Sequence, residues 1–481
     1  MNHNFLKHFS IIGIGTFVSM LIGFVTTPII TRMVSPTEYG QFSIFTLYAN
    51  VGMMVLYLGL DQSLIRYFYE QDSTAYRRGL LYRCVKIPVL LTILTCVAGF
   101  LLSGTGIWHF ELGQTALALL GVYLLIQILY RYALLILRLQ YKTKWYSLLG
   151  IVQKIVYIGI ALPLIISGFG EPVTSLIFAT VLSAGTSMVI SVVSERQFWR
   201  FSMIQKGDCE RTYASLLRYA YPYVLSMGVT TLFQAADKIA LNFFGSYADV
   251  GIYSSTMTLV HVFSIIQTSF NTLWAPMAIE HYTRHSEDRT FYQRGNQAIT
   301  VVMFFIGFSL ILCKDVFVIL LGDQYREAAH ILPFLIFNPI MYTVSETTVG
   351  GLVFLKKSNM QVLVAVAACV SNVIGNMILV PRLGCRGAAI STGVAYIIFF
   401  VMRTMLSNRY FYVDFKLKKF YALTAIAVVY ACYNTFLPFA FGSVIGYVTG
   451  VTALIFLYRD TVTWGIQYIG HMIKGTTGEW R

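Results

Sequence analysis

The chain has 481 residues, of which 57% are hydrophobic and only 12% charged, and its mean hydropathy is +0.68. Soluble domains carry roughly 25% charged residues, so most of this chain's surface must itself be apolar, which excludes a large soluble catalytic domain. The net charge of +14 raises the question of nucleic acid, and the seven cysteines that of metal, but no CxxC pair or His cluster at ligand spacing occurs.

Apolar segments long enough to cross about 30 Å of hydrocarbon recur about fourteen times: 9–31, 42–65, 85–107, 112–137, 147–167, 172–194, 219–244, 248–274, 298–322, 328–354, 361–380, 386–407, 420–438 and 442–459. The first is too long for a signal-peptide core and lacks a small-residue cleavage site, so it reads as an uncleaved span. It carries Thr16, Gly23, Thr27 and Thr31, with Pro28 able to kink it. Span 2 places Ser43, Asn50, Tyr57 and Asp61 at similar phase, followed by Arg66. Asp61 and Arg66 fit either a structural ion pair or a gate. Arg131 in span 4 and Lys154 in span 5 lie about two turns from the inner surface, where they either line a passage or snorkel to the interface.

Span 7 carries Thr231, Gln234, Lys238 and Asn242 on one face, with Asp237 beside Lys238. Adjacent helical side chains diverge by about 100°, so Asp237 and Lys238 each need another partner: a second helix, water or substrate. Span 8 has the longest polar stripe, formed by Ser254, Thr258, His261, Ser264, Thr268 and Asn271 at spacings of three and four. Hydroxyls and amides in spans serve either as interhelical glue or as the lining of a wet cavity, and His261 alone fits a hydrogen-bonded bundle residue. Lys314, Asp315 and Glu346 pose the same question in spans 9 and 10.

Basic residues collect on cytoplasmic loops. With the N-terminus inside, only Arg32, Arg326, Arg382 and Arg386 of the 35 basic residues fall on outer loops, Arg403 being assigned to the inner loop that follows span 12. The basic balance is thus a topology signal, both termini are expected in the cytoplasm, and nucleic-acid binding is not needed to explain it. The loops are short; the longest hydrophilic stretch is 275–297.

Glu38-Tyr39-Gly40-Gln41-Phe42-Ser43 is echoed by Asp249-Val250-Gly251-Ile252-Tyr253-Ser254, in corresponding outer turns six spans apart. An even separation means like-oriented repeats, as in some transporters. The expectation is an all-α, polytopic fold with two pseudo-symmetric six-helix lobes, 1–200 and 201–407, and two extra helices with a cytoplasmic tail in 408–481.

Several segments also resemble the polysaccharide transporter family: Ser35-Pro36-Thr37-Glu38-Tyr39-Gly40, Gly59-Leu60-Asp61-Gln62-Ser63-Leu64-Ile65-Arg66-Tyr67, Ala236-Asp237-Lys238 followed by Gly251-Ile252-Tyr253-Ser254, Gly322-Asp323-Gln324-Tyr325-Arg326-Glu327-Ala328-Ala329, and Gly384-Cys385-Arg386-Gly387-Ala388-Ala389. That family includes O-antigen and capsule repeat-unit flippases of the multidrug/oligosaccharidyl-lipid/polysaccharide exporter superfamily. The resemblance implies a V-shaped, MATE-like pair of lobes in the cytoplasmic membrane. It implies flipping, by alternating access, of an oligosaccharide on a polyprenyl diphosphate carrier. It further implies coupling to H+ or Na+, membrane lipids as surroundings, a polysaccharide polymerase and chain-length machinery as partners, and no cofactor or enzymatic step.

It carries Asp61, Arg66, Asp237 and Lys238 as matching polar positions. Where the family often has Arg, this chain has Lys238, which keeps the charge and loses bidentate phosphate geometry. Competing expectations are a multidrug exporter of the same superfamily, against which the lack of an acid in span 1 weighs, a peptidoglycan-precursor flippase, a membrane polysaccharide polymerase or glycosyltransferase, and a scaffold without transport.

Overall fold

A computed structural model describes residues 3–105, 110–168, 170–205 and 208–473. Those residues form helices and connecting turns, with no strand among them. Eight helices among the described residues are long and apolar enough to cross a membrane, and up to eleven if each sharply bent pair counts as one crossing. The chain is a multi-pass membrane protein. The tail expected after residue 473 lies outside the described residues.

The fold divides into two compact units, one of Met1–Lys238 with Ser246–Gly251, the other of Ile239–Gly245 with Ile252–Arg481. In the first, helix Pro172–Ser194 packs on Gly113–Leu139 and Thr143–Ile166, and His3–Thr31 packs on Thr143–Ile166. In the second, Phe337–Thr348 packs between Thr290–Leu312 and the long helix Ser358–Tyr410.

The sequence echo marks two helix starts built alike. Ser35 caps Pro36–Leu56: its hydroxyl accepts from the Glu38 amide at 3.3 Å, and the Glu38 carboxylate accepts from the Ser35 amide at 2.8 Å. Ser246 and Asp249 repeat this at 3.2 and 3.0 Å. Such reciprocal caps satisfy amide donors that a helix start leaves free.

Within the first unit these two starts press together at their glycines. A Cβ on Gly40 would overlap the Tyr247 carbonyl and one on Gly251 the Pro36 carbonyl, each carbonyl four residues before the opposite glycine. Only a residue without a side chain permits that approach.

Several boundaries differ from expectation. Span 2 is two helices, Pro36–Leu56 and Leu60–Tyr67, bent by 53°. The break holds Leu58 and Gly59 at φ 50° and 66°. Gly59 is needed there twice over, since a Cβ would also lie 2.9 Å from the Ala220 carbonyl. Beyond the break Ser63 donates to the Leu216 carbonyl at 2.7 Å, and Arg211 grips Glu70 with two bonds of 2.7 and 3.0 Å.

Span 8 is likewise broken, into Tyr247–His261 and Ser264–Arg284 at 41°. The expected hydrophilic stretch 275–297 is mostly helix, leaving only a short turn between Arg284 and Thr290. There Asp288 accepts from the Thr290 amide at 3.0 Å, bonds its hydroxyl, and meets His281 Nε2 at 3.0 Å. His281 in turn stacks on Phe291 with centroids 4.1 Å apart. Spans 11 and 12 run on as Ser358–Tyr410, turned at Gly384 with φ 54° and ψ −132°.

At the far end of Thr290–Leu312, Cys313 is the one exposed cysteine. Beside it Lys314 is fully enclosed, and its ammonium has no hydrogen-bond partner. The Asp315 carboxylate lies 3.6 Å away.

Candidate functional site

The first unit brings two of the expected residues together. Asp61, in the first turn after the break in span 2, accepts from Arg131 Nη2 at 3.0 Å. The Asp61 side chain is 1% exposed and that of Arg131 43%. Gln62 donates to the same Asp61 oxygen at 3.1 Å, while the second oxygen and Arg131 Nε are buried without a partner. Tyr57 and Tyr132 cross edge to face beside the pair, their hydroxyls bound to the Gln127 and Cys84 carbonyls at 3.3 and 3.0 Å.

This environment holds one end of the pair rigid and leaves the other open. An enclosed carboxylate must be paired, and the break at Leu58–Gly59 re-aims the helix so that Asp61 meets span 4. Asp61 therefore does not pair with Arg66, which is exposed and lies over the Tyr67 ring at 5.8 Å.

Lys154 is exposed and lies near the middle of Thr143–Ile166. Asp237 is buried and Lys238 half-buried. Thr231 and Asn242 are half-buried and Gln234 is exposed.

The stripe on span 8 runs across the 41° break between its two helices. Ser254 is buried before the break, and Thr258 donates to its carbonyl at 3.1 Å. His261 is exposed at the break. Beyond it Thr268 donates to the Ser264 carbonyl at 2.8 Å, and Asn271 Oδ1 is buried without a partner. Hydroxyls bonded one turn back along their own helix have their donors satisfied by the backbone.

Sequence reasoning missed a second ion pair, in the other unit. Arg403 Nη1 donates at 2.7 Å to both Glu346 and the Ser345 hydroxyl. The side chains are 10% and 16% exposed. Arg403 is thus inside the helix bundle, not on the loop to which charge counting assigned it. Asn296 bonds Thr347 and Thr348 bonds Thr404, each at 2.8 Å, fastening the same helices. The signal available was Ser345-Glu346 inside an apolar run, about two turns before its helix series ends at Phe354.

Among the described residues no group of three or more His, Cys, Asp or Glu side chains could hold a metal ion. The arrangement offers one cation with an open face, Arg131, held by an enclosed acid within a helix long and apolar enough to span a membrane, and no nucleophile–base pair is formed by these residues.

Residues 5–282 match the family model described as polysaccharide biosynthesis protein. No curated protein matches the sequence. Among solved structures, the lipid II flippase MurJ in an inward closed conformation is similar at TM-score 0.70 and 13% identity, covering 95% of this chain and 99% of that one. An inward-facing multidrug resistance MATE family transporter of the MOP superfamily is similar at TM-score 0.53 and 14% identity, covering 82% and 94%. The Vibrio cholerae MATE transporter VcmN, in a mutant form, is similar at 0.52 and 16%, covering 84% and 96%. At such identities the likeness speaks to the fold.

Proposed function

The chain belongs to the polysaccharide biosynthesis protein family, and from that premise we propose that it flips a polyprenyl-diphosphate-linked oligosaccharide across the cytoplasmic membrane by alternating access. The product serves O-antigen, capsule or exopolysaccharide assembly, and a polymerase with its chain-length machinery receives it. The lobes are residues 1–200 and 201–407, with 408–481 appended, and both termini face the cytoplasm, where the basic loops lie.

The observation that carries this reading is Arg131: a guanidinium at membrane depth, fixed by an enclosed carboxylate and open on its other side. Ionised groups within spans mark water-filled paths or substrate sites, and an exposed guanidinium suits the two charges of a diphosphate. Lys154 and Lys238 add positive charge, and the hydroxyls and amides of Thr231, Gln234, Asn242, Ser264, Thr268 and Asn271, with the imidazole of His261, provide donors and acceptors for sugars. A gradient of H+ or Na+ drives the cycle.

The test is deletion of the gene and analysis of carrier lipids. Accumulation of the completed saccharide on its carrier at the cytoplasmic leaflet is expected. Unchanged carrier lipids together with drug hypersensitivity would replace this reading with multidrug export, which the MATE-like fold also accommodates.

A further inference from the structure

From Ile331 to Val349 every residue is buried except Asn338, Tyr342 and Glu346. These three recur every four residues and so form one narrow stripe on an otherwise enclosed helix. A span packed on all other sides that shows only an amide, a phenol and a carboxylate is not presenting this strip to acyl chains, where each polar group would be costly. The strip faces an aqueous space.

The neighbouring helix points the same way. Val394 and Met405 are exposed, at 42% and 53%, and share one face of Ser358–Tyr410 after its turn at Gly384. Tyr396, Phe399 and Arg403 lie about 140–200° around the helix from Val394, at roughly 100° per residue. They occupy the side away from the apolar, lipid-facing strip.

Across the two helices the side chains meet. Tyr342 and Phe399 are stacked, with centroids 5.7 Å apart and planes 8° from parallel, and Tyr396 adjoins Phe399 at 6.2 Å. The Arg403 guanidinium lies 5.6 Å from the Tyr342 ring and 5.4 Å from that of Phe399, while it bonds Glu346. Tyr342, Tyr396 and Phe399 are each half-buried, so ring surface remains accessible beside the ion pair.

We infer that this wall of the second unit is a subsite for a sugar ring. The aliphatic C–H face of a pyranose packs on the Tyr342 or Tyr396 ring. Its hydroxyls donate to the Glu346 carboxylate and accept from Arg403 and the Asn338 amide. Hydrogen bonds to ionised partners are shorter and stronger than neutral ones, and the mutual bond of Glu346 and Arg403 holds both in place before the sugar arrives. A buried ion pair alone would pin the helices equally well, but it would not require aromatic rings left uncovered beside it or a lone accessible polar stripe. The subsite rests on the flippase reading and extends it, placing recognition of the saccharide on residues distinct from the Asp61–Arg131 pair.

The experiment compares binding of two probes to the purified full-length protein in lipid nanodiscs: bare undecaprenyl diphosphate, and undecaprenyl diphosphate carrying the saccharide extracted from the deletion strain. Tyr342→Leu and Asn338→Ala are the variants, because neither removes a member of the ion pair, and thermal unfolding confirms that they fold. The expected result is a loss of at least tenfold in affinity for the glycosylated carrier in Tyr342→Leu, a smaller loss in Asn338→Ala, and unchanged affinity for the bare carrier in both. Equal weakening for the two probes, or none for either, overturns the subsite while wild-type binding leaves the flippase reading standing. Wild-type protein that binds neither probe removes the flippase reading and the subsite with it.

Discussion

Asp61 and Arg131 share one ion pair between two different surroundings, the carboxylate enclosed on every side and the guanidinium, 3.0 Å away, partly open to solvent. The asymmetry decides what each mutation does. Removing the cation strands a charge that cannot rehydrate; removing the acid frees a cation that can.

Arg131→Gln is therefore expected to lower stability more than Asp61→Asn. Breaking a fully buried pair costs about 3–5 kcal/mol, and the open guanidinium reduces that through solvent screening. The double variant Asp61→Asn/Arg131→Gln should recover at least half of the lost melting temperature in detergent while remaining inactive in transport. A double variant whose loss equals the sum of the two single losses would show that the two groups are not coupled.

Gly40→Ala and Gly251→Ala should each destabilise the protein by about 1–3 kcal/mol, the usual cost of forcing a methyl group into a filled contact. Because both glycines serve one crossing, the pair should be non-additive. A double-mutant cycle on thermal unfolding measures this, and strict additivity would place the two positions in independent contacts.

Lys314→Met should lower the melting temperature, and adding Asp315→Asn should restore it. The ammonium is enclosed without a hydrogen-bond partner, and the Asp315 oxygen that faces it at 3.6 Å is buried without one too, although 47% of that side chain is exposed. Removing one member of such a pair leaves the other charge uncompensated, whereas removing both lifts the desolvation penalty. Equal melting of Lys314→Met and wild type would show that the ammonium does not compensate Asp315.

The turn between Arg284 and Thr290 should loosen in acid. The Thr290 hydroxyl, then the Thr290 amide and His281, hold the Asp288 carboxyl below its ordinary value of 3.8. A depressed carboxyl stabilises the fold above that value and ceases to do so as pH falls through its folded pKa. Hydrogen exchange of the amides of Thr290 and Phe291 should quicken, relative to intrinsic rates, only below about pH 4, and Asp288→Asn should abolish that dependence.

The hydropathy of the chain announced the helical membrane fold, because lipid demands long apolar segments and leaves few alternatives. The echo around Gly40 and Gly251 also carried real information, since identical capping chemistry needs identical spacing. The breaks in spans 2 and 8 were harder to read. Gly59 could have been suspected, but Leu58 with φ 50° and the Val262-Phe263 interruption follow from packing rather than from residue type. The partner of Asp61 was hidden for the same reason: a break re-aims a side chain, and the spacing of Asp61 and Arg66 along one strand of sequence suggested a neighbour that the bend turns away. Arg403 illustrates a different failure. Counting charges by distance from a span end treats every terminal arginine as a loop residue, whereas Glu346 and Ser345 draw this one inward.

Cys313 gives the molecule a built-in reporter. Cys313 is exposed at the end of Thr290–Leu312 opposite the Asp288 turn, whereas the other six cysteines are buried or only partly exposed. A membrane-impermeant maleimide applied to intact cells can therefore read which end of that helix meets the exterior without any engineered cysteine, and the Cys313→Ser variant supplies the blank.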